Sequence, residues 1–515
     1  MIVKKILCLG NSSEDTDLRS RKIAQAHNLP YHGLIIEIKD IEVGCYQTSF
    51  YDMSYGDLIE LSKQMDDIII LDQSKESYLD EHAFYQTISL GKYLKSTNNV
   101  IFLDESFNET IEDELKTNKS ICILPFIQSV PLNGNFHACC RSSNPMSKID
   151  PLINFSNDVN RNLIKQKMLA GEKLDHYCKI CYDLEDNKIT SPRSTQTVEW
   201  ANRLDIKNIN EFTTITDPIY YEIRAGNQCN LMCRMCVPGL SSLIEKENQT
   251  LKLRNDTTYQ YTGFYNVNLN TVKKLYIAGG EPTIMPELYK FLEECIGKKK
   301  TNFEIIFNTN AVSLTKQFKS LIKQFSNINF EISVDGYELV NQYVRWPTKW
   351  DKLINNIDYL HRNGYKLSFT SVVSIYNIAS FYSTIEFLSN RYKNSPIHLT
   401  KVEFDNGLLS PYIFPNKDEF DNIILSPYIF PNKDVVIANL NKIKKLDIYN
   451  NDQVLKSKID EYLDYFTNNH KVDLVTLTAF FKYNDMLDKA RDVRLVDYIP
   501  ELEQCRKLIG VRKND

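Results

Sequence analysis

Between Ile219 and Glu403 the chain repeats one local pattern six times, a short β-rich run followed by a helical stretch. The runs are Ile219–Ile223, Lys274–Ala278, Phe303–Phe307, Asn329–Val334, Leu367–Val373 and Ile397–Glu403. Strands separated by helices are parallel, because the helix carries the chain back to the starting end of the sheet, and such crossovers are right-handed. The repeat therefore predicts a parallel α/β sheet curved into a full or partial barrel, with its chemistry on the loops at the strand C-termini. Pro286 stands at a helix start, and Leu288, Phe291, Leu292, Cys295 and Ile296 then recur as one buried stripe, which makes Cys295 a core residue. Trp350, Leu353, Ile354, Ile357 and Leu360 form a second stripe, with Gly364 placed for a left-handed cap.

A chain of 515 residues is too long for one core and implies several domains. Residues 1–115 alternate strand-like runs at Val3–Leu9, Gly33–Ile38, Asp67–Leu71 and Val100–Leu103 with helical stretches, as in a small doubly wound α/β domain. Gly10-Asn11-Ser12-Ser13 after the first run reads as an ordinary β–α turn, since an anion cradle there would want a fuller glycine fingerprint. Residues 116–205 have poor periodicity and dense cysteines, as where metal bonds replace a hydrophobic core. The barrel pattern occupies 217–405. Residues 406–515 hold a ten-residue duplication, 409–418 repeated at 425–434, read as an extended surface connection, and then a helical extension. Phe480-Phe481-Lys482-Tyr483-Asn484-Asp485-Met486-Leu487-Asp488 near its end matches no chemical motif.

A net charge of −5 offers no broad positive field for a polyphosphate, so nucleic acid is not an expected partner. No run approaches the roughly 18 apolar residues of a membrane span, and the short apolar run at the N-terminus lacks the features of a secretory signal. A cytoplasmic protein is expected, without a membrane partner. In that setting twelve cysteines point to metal ligation or catalysis rather than to a disulfide framework. Eight of them cluster, at 122, 139, 140, 178 and 181 and at 229, 233 and 236.

Cys229, Cys233 and Cys236 follow the first barrel strand, where three thiolates can converge. A structural zinc site wants four protein ligands and an ordinary [4Fe–4S] centre takes four cysteines, so a set of three leaves one iron open. This C-x3-C-x2-C loop resembles that of the radical S-adenosylmethionine superfamily, in which it follows the first strand of a partial (β/α)6 barrel. The resemblance implies a [4Fe–4S] cluster on these cysteines, S-adenosylmethionine on the open iron, and a 5′-deoxyadenosyl radical made by reductive cleavage. Gly279-Gly280-Glu281-Pro282 after the second strand looks like the family's GGEP segment, where glycines admit the ligand and the turn accepts from its amino group. Asn310, Ser333 and Asp335, at the ends of the third and fourth strands, resemble the family's contacts to ribose and carboxylate, with Val373-Ser374 and Asn377 after the fifth. The residue before the third cysteine, often aromatic in the family, is Met235, which can still lie against a π-face.

Upstream, Cys122, eleven residues, Gly134, four residues and Cys139 reproduce the spacing that opens the auxiliary-cluster region of SPASM and twitch domains, and Cys178 and Cys181 complete four ligands. Gly171-Glu172 and Glu185 resemble the same regions, of the shorter twitch type, although those regions more often follow the barrel than precede it. Cys140 competes with Cys139, because adjacent residues do not readily both reach one metal. A zinc ribbon on the same sulfurs stays open, with His137 and His176 close by. The resemblance implies hydrogen abstraction from an organic substrate, a peptide or protein by analogy with SPASM and twitch relatives, fed by an electron donor such as a flavodoxin or ferredoxin. The alternative is a catalytically inactive, zinc-stabilised binding protein on the same scaffold.

Overall fold

The computed structural model describes residues 111–132, 134–150, 154–186, 190–253, 263–264, 267–401, 427–471 and 474–508, and, before residue 111, strands alone. The chain divides into two compact units, residues 1–117 with 201–211 and residues 118–200 with 212–515. In the first unit, strands β1 (Ile6–Leu9), β2 (Ile68–Leu71) and β3 (Asn99–Phe102) form a parallel sheet in that order. The Gly10–Ser13 turn and the 409–418 copy of the duplication lie outside the described residues.

The second unit is built on one nine-stranded sheet. Its strands are β4 (Gln128–Leu132), β5 (Asn135–His137), β6 (Pro145–Lys148), β7 (Tyr220–Arg224), β8 (Lys274–Ala278), β9 (Glu304–Thr309), β10 (Asn327–Ser333), β11 (Lys366–Val373) and β12 (Ile397–Lys401). Across the sheet they run β12-β11-β10-β9-β8-β7-β4-β5-β6. The six repeats thus give six parallel strands in sequential order, each at its expected place to within a few residues. The cysteine-rich stretch set apart by its sequence is continuous with them: β4 pairs in parallel with β7, and β5 and β6 extend the edge antiparallel.

Alternation along the strands gives the sheet two different faces. Ile305, Phe307, Ile328, Phe330, Ile332 and Phe369 are buried against helices, with the Phe307 and Phe330 rings stacked at 5.5 Å. The helices supply the stripes read from the sequence: Leu288, Phe291, Leu292 and Cys295 on Pro286–Gly297, and Leu353, Ile357 and Leu360 on Trp350–Arg362. Gly364 takes φ 78° just past the latter. Residues between these, among them Glu222, Tyr276, Asn308, Glu331 and Ser368, line instead a cavity of about 860 Å³. Helices Lys433–Ile443, Gln453–Asp464 and Leu474–Arg491 join the same apolar core through Val436, Leu440, Leu455, Ile459, Leu477 and Phe480. No helix among the described residues is long and apolar enough to cross a membrane.

Candidate functional site

The loop after β7 carries Cys229, Cys233 and Cys236 and is held on three sides. On one side the turn after β8 zips to it: Gly280 N donates to Gly226 O at 2.9 Å and Glu281 N to Gln228 O at 2.8 Å. Two glycines make this approach feasible. A Cβ on Gly279, at φ 124°, would stand 2.6 Å from Gly226 O, and one on Gly280 would stand 2.2 Å from Gln228 O. On a second side Met232–Cys233 pairs antiparallel with Arg345–Trp346. There Arg345 Nη1 lies 3.8 Å from Cys233 Sγ, and its Nε donates to Asp335 at 2.6 Å.

The third side is the helix Leu474–Arg491, which the sequence leaves without chemistry. Arg234, between the second and third cysteines, is fully buried and donates to Tyr343 O at 3.1 Å, Asn484 Oδ1 at 3.0 Å and Asp488 Oδ1 at 2.6 Å, its guanidinium 3.6 Å from the Tyr343 ring centre. Asp488 also accepts from the Tyr343 hydroxyl at 2.7 Å and the Leu495 amide at 2.8 Å. One turn further, Arg491 makes a two-pronged pair with Glu247 at 2.7 and 2.6 Å. Residues 484, 488 and 491 share one helix face. Their signal in the sequence is a polar stripe inside an apolar one, which means nothing until its partner Arg234 is known.

Two acidic residues placed near the cosubstrate by their motifs have other occupations here. Glu281 is fully buried, and its carboxylate accepts from Thr283 N and Oγ1, Thr309 Oγ1 at 2.5 Å and Asn310 N at 2.7 Å. Burial raises its pKa, and these donors pull it back. The side chain thus ties the glycine turn to the end of β9. Asp335 is equally buried, with its oxygens taken by Arg345 and the Val372 amide at 2.7 Å. Through the first of these bonds it holds Arg345 beside the cysteine loop. Pro282 is buried within the turn, Asn310 donates to Asn230 Oδ1 at 2.8 Å, and Ser333 is half-buried at the end of β10. Asn377 bonds Asp335 O and Val372 O and closes the same corner.

Burial is the first cause that raises all three loop thiols. Cys229 is pushed up to about 12, with Cys233 and Glu281 adding to it, and Cys236 is pushed well above its usual value, with the other two sulfurs adding to it. At Cys233 the Arg345 guanidinium pulls back. Three half-buried thiols, each raised in pKa by its surroundings, suit a metal, which supplies the positive charge thiolates need. Among the described residues no three His, Cys, Asp or Glu side chains stand close enough to share a single metal ion. A cluster of several irons would not require the three sulfurs to meet at a single ion. The donor set and its cationic neighbour fit such a cluster.

The second group of cysteines is also drawn together. Cys178 and Cys181, one turn apart on Asp175–Asp186, share a helix face, and with Cys122 and Cys139 they line one small apolar pocket. Cys122 is pushed up to about 12 by burial, with Cys181 adding to it. Arg193 walls the pocket, donating to Ile121 O at 2.7 Å and pairing with Glu185 at 2.7 Å. Cys140 does not line this pocket; it lines the barrel cavity, beside Glu222 and Arg224. Neither His137 nor His176 lines the four-cysteine pocket either.

Residues 223–388 match the model of the Radical SAM superfamily. Among curated proteins, GTP 3′,8-cyclase of Campylobacter lari is 27% identical over 175 residues, 33% of this chain and 52% of that one. Molybdenum cofactor biosynthesis protein 1 of Dictyostelium discoideum is 25% identical over 144 residues, 27% of this chain and 21% of that one. The chain thus spans about half of the first relative and less of the second. Among solved structures, SuiB of Streptococcus suis bound to S-adenosylmethionine aligns over 58% of this chain and 59% of that one, at 14% identity and a TM-score of 0.29.

Proposed function

We propose that this chain, which carries a Radical SAM superfamily domain over residues 223–388, is an enzyme that uses S-adenosylmethionine to abstract hydrogen from an organic substrate. The observation that carries the reading is the loop of three half-buried thiols, held between a glycine turn that admits no side chain and the Arg345 strand. Bound there, a [4Fe–4S] cluster supplies the electron that cleaves the cosubstrate to methionine and a 5′-deoxyadenosyl radical. Cys229, Cys233 and Cys236 would hold this cluster. Gly279 and Gly280 let backbone approach the cosubstrate, Glu281 fixes that turn from behind, and the 860 Å³ cavity below seats the substrate. Its lining mixes charged side chains such as Glu222, Arg224 and Glu331 with apolar ones such as Leu124, Ile306 and Leu367, which suits a peptide or protein segment, the substrate class implied by the resemblance to twitch enzymes. Cys122, Cys139, Cys178 and Cys181 are the ligands of an auxiliary cluster, and a flavodoxin or ferredoxin in the cytoplasm is the electron donor.

Anaerobic reconstitution of the full chain, with iron and sulfide counted and 5′-deoxyadenosine assayed after reduction, tests this. About eight irons per chain are expected, and alanine at Cys229, Cys233 or Cys236 removes about half of them and all deoxyadenosine. Retained turnover in any of the three variants would sink the assignment. Tightly bound zinc without deoxyadenosine would support the binding-protein reading.

Arg345 gives a separate prediction. A guanidinium 3.8 Å from a ligating sulfur favours the more negative, reduced state of the cluster. Arg345→Gln is therefore expected to move the reduction midpoint of the barrel cluster to more negative potential in a redox titration followed by EPR, and Arg345→Lys to move it less. A midpoint unchanged in Arg345→Gln would show that the contact does not tune the cluster.

A further inference from the structure

The two adjacent cysteines at 139 and 140 face different rooms. Cys139 lines the apolar pocket with Cys122, Cys178 and Cys181, whereas Cys140 lines the barrel cavity with Glu222, Arg224 and the glycine turn at Gly279. A turn in the chain produces the split: residues 138–141 leave β5 without regular structure, so successive side chains point apart. In the cavity Cys140 meets a carboxylate, Glu222, and no second sulfur lines the wall with it.

A second feature of the same wall awaits a ligand. Gln128 is 0% exposed and lies beside Tyr220 across the β4–β7 pairing, on the cavity face. Its Nε2 is turned to Glu222 Oε2 at 3.5 Å, which assigns the amide its orientation and leaves Oε1 without a donor among the described residues. A substrate N–H or O–H that reached this wall would supply the donor Gln128 Oε1 lacks, within the cavity that Cys140 also lines and beside the Glu222 that both residues face.

We infer that Cys140 is a catalytic residue of the barrel cavity, a thiol that donates its hydrogen atom to a carbon radical held against Gln128 and Glu222. The inference rests on the radical reading of the three-cysteine loop. A thiol S–H bond is weaker than an alkyl C–H bond, so the transfer runs downhill. The S–H bond breaks, a C–H bond forms at the radical carbon, and a thiyl remains on Cys140. One electron from an external one-electron reductant, the class that cosubstrate cleavage already requires, and one proton from solvent restore the thiol. Cys139 binds metal and Cys140 does not, so neighbouring sulfurs serve two different chemistries. The substrate is a polar molecule that presents a hydrogen-bond donor beside the carbon that accepts the hydrogen.

The test needs no substrate. In its absence the 5′-deoxyadenosyl radical takes hydrogen from what the cavity offers, and in D2O a thiol carries deuterium. The reconstituted full chain, reduced with dithionite in D2O with S-adenosylmethionine, is expected to yield mostly singly deuterated 5′-deoxyadenosine by mass spectrometry. In Cys140→Ala and Cys140→Ser that deuterated fraction is expected to fall at least fivefold while the iron content stays at the native value; Cys139→Ala is expected to lose about half its iron. Tyr276, whose phenolic O–H also exchanges and also lines the cavity, is the control. Deuterium lost in Tyr276→Phe and kept in Cys140→Ala would overturn the proposal, as would deuterium kept in both. Iron lost from Cys140→Ala would return Cys140 to the ligand set and overturn it too. No deoxyadenosine from the native chain would instead fail the radical reading itself.

Discussion

Asp488→Ala is expected to cost the chain about 3–5 kcal/mol, because it strips the counter-charge from a buried guanidinium. Arg234 is 1% exposed, and Asp488 is its one carboxylate partner as well as an acceptor for the Tyr343 hydroxyl and the Leu495 amide. Removing it leaves the guanidinium without its counter-charge and the Leu495 N–H without its acceptor, with Asn484 Oδ1 the remaining side-chain acceptor for both Arg234 and the Tyr343 hydroxyl, and such networks lose more than pairwise sums suggest. The consequence reaches the cluster loop, since Arg234 stands between Cys233 and Cys236 and its amide is bonded to Val344 O at 2.8 Å. Urea titration should therefore show a lower midpoint, and reconstitution should show less iron at the barrel site. The double change Arg234→Met with Asp488→Leu, which removes both charges together, should recover much of the stability. An unchanged urea midpoint in Asp488→Ala would mean that the helix does not hold the loop.

Gly280→Ala should be the most damaging one-carbon addition in the barrel. The new methyl would sit 2.2 Å from Gln228 O and 2.6 Å from Asn227 C, and both are backbone atoms with no side-chain freedom to retreat. Either the glycine turn or the cysteine loop must move, and the Glu281 N to Gln228 O bond between them is lost. Strain of this kind costs about 1–3 kcal/mol, and here it falls on the contact that sets the turn against the loop. Equilibrium binding of S-adenosylmethionine to the reconstituted protein is expected to weaken by roughly ten- to a hundredfold. Gly297→Ala, at a helix end where a Cβ meets nothing within 4 Å, should bind normally. Native affinity in Gly280→Ala would show that the turn takes no part in holding the cosubstrate.

The sequence shows the barrel with good accuracy because a parallel α/β repeat writes both of its periods locally. β-Rich runs fall where strands do, and apolar residues three and four apart mark the helices that cover them. The edge of the sheet is not written in the same way. β4 has five buried residues and no alternation, and β5 and β6 are three and four residues long, so nothing local distinguishes them from a loop-rich insert. Their place beside β7 is a matter of long-range pairing.

By itself the sequence determined the candidate thiols and their grouping: three on one loop, four or five more upstream, and glycines where the next strand ends. Ligand number and spacing are covalent facts, and a short loop leaves few ways to arrange them. Tertiary structure decided the orientation and partners of side chains. It turned Cys139 into one pocket and Cys140 into another, withdrew Glu281 and Asp335 into the protein, and brought Asn484 and Asp488 to Arg234 across some 250 residues of chain. Those choices depend on burial and on hydrogen bonds between distant segments, which exist only once the strands have paired and the helices have closed over them.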